Sequence, residues 1–147
     1  MKITPDEYSK MTDQASPGSK IWKDMFLAFI SGGIICTIGQ ALGNLYMNLG
    51  MTQKDSRAVV SITLVALGAL LTAFKVYDNI AKHCGAGTLV PITGFANSIV
   101  APAIEFKSEG HIMGIGAKMF VIAGPVLVFG ITSSVVYGII AWIFHLY

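Results

Sequence analysis

The 147-residue sequence predicts an all-α, polytopic integral membrane protein with three to four membrane segments, the third short or re-entrant and the last kinked near Gly124-Pro125. Three observations carry this reading. Charged residues make up only 12% of the chain and hydrophobic residues 54%, against about 25% charged in soluble domains, and the mean hydropathy is +0.67. Eight of the eighteen charges fall in the first 24 residues, which leaves long uncharged runs beyond them. The runs are separated by short polar or Gly/Pro-containing breaks rather than by soluble-domain sequence. One domain is the natural expectation for this length, with residues 1–24 a polar cytoplasmic N-terminal tail and residues 25–147 the transmembrane domain.

The tail has no apolar stretch near its start, so it does not read as a signal peptide. Ser16-Pro17-Gly18-Ser19 is a turn or linker signal. Ile21, Trp22 and Phe26 beside Lys20 and Lys23 suit a headgroup-level anchor. Met25 to Gln53 carries no charge, ample for a span of about 20 residues. Within it Gly39 and Gly43 form a GxxxG pair, a device for close helix approach in lipid. Gln40 and Asn44, also four apart, place two polar groups on one face, towards another helix or a wet cavity rather than lipid.

Residues 51–57 read as a short polar turn, and the second span as roughly Ala58 to Tyr77, with Lys75 snorkelling and Tyr77 and Asp78 at the interface. Gly85-Ala86-Gly87 breaks the helix that follows. Leu89 to Ile104 is either a marginal third span or a re-entrant half-helix; Pro91 suits a first turn, and Pro102 would break or kink the far end. His111 to Tyr147 is apolar except for Lys118 and exceeds one upright span, with Gly124-Pro125 the place to kink or break. Gly130, Ser134 and Gly138 recur every four residues as a packing stripe, and Trp142, His145 and Tyr147 fall at the outer interface. The bias of Lys2, Lys10, Lys20, Lys23, Lys75 and Lys82 over Lys54 and Arg57 places the N-terminus inside.

Several function classes are excluded. A net charge of +2 without a basic, aromatic-interleaved stripe argues against nucleic acid. No GxSxG, Walker or HExxH motif is present. Cys36 and Cys84 are a poor disulfide pair and read as buried, inert thiols. With them and three scattered histidines, no metal site and no cofactor is expected.

The residues that could handle a polar solute lie mostly between Gly85 and Gly110. Thr93, Phe95, Asn97 and Ser98 sit in an otherwise apolar segment, suited to hydrogen bonding across helices or to contacting a solute from a half-helix. Glu105, Lys107 and Glu109 form a knot of charge, either a self-neutralising turn or a binding site. Lys118 lies eight residues into an apolar run, where it snorkels or faces an anion. Together with Gln40 and Asn44 these are the candidate path residues, and Gly39, Gly43, Gly130, Ser134 and Gly138 the candidate packing residues.

The strings Cys36-Thr37-Ile38-Gly39-Gln40, Tyr77-Asp78, Gly85-Ala86-Gly87, Val90-Pro91-Ile92-Thr93-Gly94-Phe95-Ala96-Asn97-Ser98 and Glu105-Phe106-Lys107-Ser108-Glu109-Gly110 resemble, in this order, the family of stage V sporulation membrane proteins AC and AE. The resemblance covers about residues 25–147, and the polar tail and the Phe-Lys-Ser-Glu-Gly ending lean to the AC side. Lys75 departs from it, since a small residue is expected there. The resemblance implies a component of a channel complex of the forespore and spore inner membrane. That complex moves dipicolinic acid, as its calcium chelate, into the spore and out again on germination, and the AC side is associated with gating by membrane tension. A bundle of three or four helices cannot enclose such a pore alone, so membrane lipid, further subunits of the complex and a homo- or hetero-oligomer are the expected partners. A non-conducting scaffold or gating subunit is the alternative.

Overall fold

The computed structural model describes residues 4–15 and 20–146, so the Ser16–Ser19 linker and Tyr147 lie outside the described residues. The first helix, α1 (Pro5–Ala15), opens with a reciprocal cap. The Thr4 N–H donates to Glu7 Oε2 at 3.0 Å, and the Glu7 N–H donates to Thr4 Oγ1 at 3.4 Å. The Thr4 backbone bond, supported by the Thr4 side chain, holds the Glu7 carboxyl below the ordinary carboxylate range.

Two long helices follow, α2 (Ile21–Asn48) and α3 (Gln53–Ala73). Lys23 and Asp24 already form the first turn of α2, and Thr52 caps α3 by accepting from the Asp55 N–H at 3.2 Å. The polar turn expected over residues 51–57 is therefore shorter, and Arg57 lies on a helix. α2 and α3 are antiparallel. Gly39 faces Leu64 and Val60, and Gly43 faces Val60 and Ser56. Ser56 Oγ donates to the Gly43 carbonyl at 3.0 Å, and the Tyr46 and Thr63 hydroxyls meet at 2.9 Å.

The second span does not reach Tyr77. It ends at Ala73, because Lys75 takes a left-handed conformation (φ 59°) that turns the chain into α4 (Val76–Cys84). Gly85 turns it again into the single turn α5 (Ala86–Leu89), and Pro91 introduces α6 (Ile92–Glu105). Gly68 of α3 lies against Thr93 and Ala96 of α6, and Thr72 bonds Asn97. Increasing numbers on α3 thus pair with increasing numbers on α6, so the two helices run parallel. α5 meanwhile abuts the start of α2, where Gly87 packs on Ala28 and Ser31. The segment from α4 to α6 therefore leaves the end of α3, turns at Val90-Pro91 beside the middle of that helix, and returns to the face it came from. This decides between the two geometries open for residues 89–104. The 14 residues of α6 rise about 21 Å, short of a hydrocarbon core of about 30 Å. Pro102 sits inside α6, which continues for three more residues.

A 3₁₀ turn (Phe106–Glu109) and a π-helical stretch (His111–Gly116) lead into α7 (Phe120–Ile143). Gly114 fits directly under the Phe106 carbonyl and Glu109. The irregular part of the last segment is this π stretch, while Pro125 lies inside a helix that runs unbroken from Phe120 to Ile143. Three segments are long and apolar enough to cross a membrane: Ile21–Asn48, Gln53–Ala73 and His111–Ile143. No residue of α2 is buried, and Ala123 is the one buried residue of α7, so both helices present apolar side chains almost all round, as helices bathed in lipid do. Cys36 belongs to that outer surface, exposed rather than buried as the sequence suggested; Cys84 is half-buried, and both thiols are free.

Candidate functional site

The re-entrant segment gathers the polar groups of the membrane domain. Its centre is Tyr77, which is 3% exposed rather than at the interface where its neighbour Asp78 sits. The Tyr77 hydroxyl donates to the Thr88 carbonyl at 2.7 Å and shares its proton with Thr93 Oγ1 at 3.0 Å. One hydroxyl thereby ties α4 to both α5 and α6. On the other side of α6, the Thr72 hydroxyl meets the Gly68 carbonyl at 2.7 Å and Asn97 Oδ1 at 2.8 Å. Thr72, Thr88 and Thr93 are all buried, and no buried side-chain polar atom among the described residues lacks a partner. At membrane depth this pairing is what makes the irregular backbone tolerable.

Three glycines let these polar groups meet. A Cβ at Gly87 would overlap the Ser31 hydroxyl and the Ala28 carbonyl, and one at Gly94 would overlap the Thr88 carbonyl. At Gly68 a Cβ would sit 2.9 Å from the Thr93 carbonyl oxygen. Close backbone approach, rather than turn geometry, is the requirement at these positions.

Two spaces flank the cluster. An apolar cavity of about 310 Å³ lies between α2, α3 and the re-entrant segment, walled by Ile34, Ile35, Ile38, Leu64, Leu67 and Leu71, with Tyr77, Thr88 and Thr93 at its base. A cleft of about 590 Å³ opens where α4 leaves the N-terminal face and α6 returns to it, lined by Thr72, Lys75, Asp78, Asn79, Lys82, Ala101, Ile104 and Glu105. A third space, about 330 Å³, lies near the opposite end of α2 and α3, between Gln40, Gln53, Ser56, Arg57 and Ser61.

The structure brings some of the sequence candidates together and separates others. Thr93, Asn97 and Glu105 belong to one continuous arrangement along α6. Ser98 spends its hydroxyl on the Phe95 carbonyl one turn back (2.7 Å), and Phe95 is half-buried beside it. Gln40 and Asn44 bond each other at 2.9 Å on the exposed face of α2, far from α6. Lys107 and Glu109 are exposed on the 3₁₀ turn, outside the cleft. Lys118 places its Nζ 4.8 Å from the centre of the Phe106 ring, a cation–π contact that partly satisfies the charge. Gly39 and Gly43 pack within the chain, whereas Gly130 and Gly138 face open space and Ser134 bonds the Gly130 carbonyl (2.8 Å). No cluster of three or more metal-binding side chains occurs among the described residues.

Sequence reasoning missed Tyr77, Thr72, Thr88 and Lys75 as members of this site. For Thr72 the signal was present: a hydroxyl inside an apolar span, four residues after a glycine. Tyr77 carried the opposite signal, since a Lys-Val-Tyr-Asp string reads as an interface.

Comparison with known proteins shows the family. The family described as SpoVAC/SpoVAEB sporulation membrane protein matches residues 24–140. The chain is similar to the stage V sporulation protein AC of Bacillus subtilis (strain 168), 44% identical over 119 residues, which cover 80% of this chain and 79% of that protein. No solved structure matches.

Proposed function

Because this chain belongs to the SpoVAC/SpoVAEB sporulation membrane protein family, we propose that it is a subunit of a channel that moves dipicolinic acid, as its calcium chelate, across the inner membrane of the forespore and spore. The observation that supports this is the re-entrant segment, whose Tyr77, Thr88, Thr93 and Asn97 form a polar cluster with Thr72 of α3 beside a polar cleft. Segments that line solute paths in membranes are built this way, with broken helices placing backbone and small polar groups near the midplane. Hydroxyls and an amide suit a chelate whose charges are already neutralised.

The N-terminus is proposed to face the cytoplasm. Because α6 returns rather than crosses, Lys107 joins Lys20, Lys23, Lys75 and Lys82 on the N-terminal side, against Lys54 and Arg57 on the other. Membrane tension is the proposed stimulus. The segment from α4 to α6 is held against α2 and α3 by close packing at Gly68 and Gly87 and by the bonds of Tyr77 and Thr72, so a change in lateral area that separates those helices would act on it.

A second reading, a scaffold that assembles or gates a pore made by other subunits, is favoured by one feature. Gly130 and Gly138 on α7 face open space, and Ser134 between them bonds its own helix at the Gly130 carbonyl, so the stripe is free to receive another helix.

Release of dipicolinate from vesicles containing the protein, with and without osmotic downshock, tests the channel reading. Release above empty vesicles, altered by Asn97→Leu while assembly persists, supports it. If Gly138→Leu abolishes assembly while Asn97→Leu leaves the flux of the complex unchanged, the scaffold reading replaces it.

A further inference from the structure

The apolar cavity between α2, α3 and the re-entrant segment has aliphatic walls and a mouth on the outer surface of the bundle. Ile34, Ile35 and Ile38 stand half-way along the 28 residues of α2, and Leu64, Leu67 and Leu71 line the α3 side. A third wall comes from α4, through Tyr77, Ile80 and Cys84 at the spacing of one helix face. Asp78, Asn79 and Lys82, on the opposite face of α4, line the polar cleft instead. The mouth is marked by exposure: Ile34 is 55%, Ile38 46%, Leu67 43% and Ile80 42% exposed. Water gains nothing by entering, because the polar side chains at the edge already have partners. Ser31 donates to the Ala28 carbonyl at 3.2 Å, Thr88 donates to the Gly85 carbonyl at 3.0 Å, and Thr93 is paired with the Tyr77 hydroxyl at 3.0 Å. An apolar cavity of about 150 Å³ already stays dry and takes a benzene-sized guest, and this one has about 310 Å³.

We propose that this cavity seats one acyl chain of a membrane phospholipid, a site independent of whether the protein conducts. At about 30 Å³ for a group the size of a water or a methylene, the cavity takes roughly ten carbons of a single chain. A helix of a second copy does not fit. One turn of helix, about 10 Å across and about 5.4 Å high, fills roughly 400 Å³. The depth suits a lipid as well. About 16 Å of helix separates Ile34 from Lys23 in the first turn of α2. One leaflet of a hydrocarbon core about 30 Å thick gives an acyl chain that reach. A methylene chain supplies each wall with the dispersion contacts that a gap would forfeit. Seated there, it covers the apolar face of α4 and lies against the elements that carry the buried Tyr77, Thr88 and Thr93 bonds. Lipid thereby becomes part of what positions the re-entrant segment.

Photolabelling of the full-length protein in phosphatidylcholine nanodiscs tests this, with a tracer phosphatidylcholine that carries a diazirine midway along one acyl chain. Adducts are mapped by peptide mass spectrometry. Yields at residues 34–38, 64–71 and 77–84 should exceed those at residues 126–137 of α7 at least fivefold. Native mass spectrometry of the protein released from the discs should show one retained phospholipid per copy. Leu67→Trp, which fills the cavity from its mouth, should cut the first set of adducts at least fivefold, leave those on α7 unchanged and abolish the retained phospholipid. Ile80→Phe fills it from α4 and should act in the same direction, whereas Leu127→Trp on the exposed surface of α7 should change neither readout. Equal yields on the cavity and on α7 would merge the cavity with the bulk lipid and overturn the proposal. Absence of label from the cavity, or phospholipid retained undiminished in filled variants of parental helicity, would overturn it too. Release as a pair of copies without phospholipid would put a second copy at the mouth and sink it as well.

Discussion

Tyr77→Phe removes one oxygen atom from the centre of the re-entrant segment and leaves its packing unchanged. The hydroxyl donates to the Thr88 carbonyl at 2.7 Å and contacts Thr93 Oγ1 at 3.0 Å, in a place where Tyr77 is 3%, Thr88 2% and Thr93 7% exposed. The adjoining cavity is walled by Ile and Leu side chains that offer a water no other partners, so the Thr88 carbonyl is left without this donor. An orphaned buried acceptor costs about 1–3 kcal/mol. Polar pairs in membranes lie lower, about 0.6 on average and 1.7 at most, because the unfolded chain in lipid also finds partners. The expected loss is therefore about 1–2 kcal/mol, a change of roughly 5- to 30-fold in the folding equilibrium. Reversible unfolding of the purified protein in mixed micelles, followed by helicity, reads it. Thr93→Val should lose less, since it removes only the longer contact, and the double variant should show a coupling of about 0.5–1 kcal/mol. Amide exchange should accelerate in residues 86–96 and stay unchanged in the far half of α2. A Tyr77→Phe stability equal to that of the parent, with exchange in residues 86–96 unaffected, would refute the idea that this hydroxyl holds the segment in place.

Three further outcomes follow from the same structure. Gly87→Leu should detach α5 from α2, since its side chain would occupy the space of the Ser31 hydroxyl and the Ala28 carbonyl; a loss above about 3 kcal/mol and new protease cutting near Gly85–Gly87 would show it. Lys75→Gly should raise stability by about 1 kcal/mol by relieving the left-handed backbone, seen as a higher unfolding midpoint. Glu7, whose carboxyl is held below its ordinary value by the Thr4 backbone and side chain, makes the start of α1 pH-dependent. Its folded pKa is depressed, so its contribution is fully present above the ordinary carboxylate pKa and is lost as pH falls through the lowered value. The Thr4 amide proton resonance should move over that acidic window, and Glu7→Gln should abolish the movement.

The sequence by itself determined the membrane class, the existence of the three crossing segments and the family, because each rests on local composition or on short strings. A run such as Met25–Gln53 excludes a soluble surface whatever it packs against. The cap on α1 has a sequence signature too, Thr4-Pro5-Asp6-Glu7, a capping box with proline at the first helical position, in a stretch expected only as a polar tail. The path of residues 76–105 was not legible. A 14-residue apolar helix bounded by prolines reads equally as a short span or as a half-helix. The choice depends on which neighbour accepts it, through Gly68 against Thr93 and Gly87 against Ala28. Nor could spacing show that Tyr77 turns inward, since its direction is set by a left-handed backbone at Lys75, a residue type that rarely adopts it. Glu105 acquires Lys75 and Lys82 as neighbours through the same turn. Contacts between residues far apart in the chain have no local signature, and here they alone decided how residues 76–105 fold back on α2 and α3.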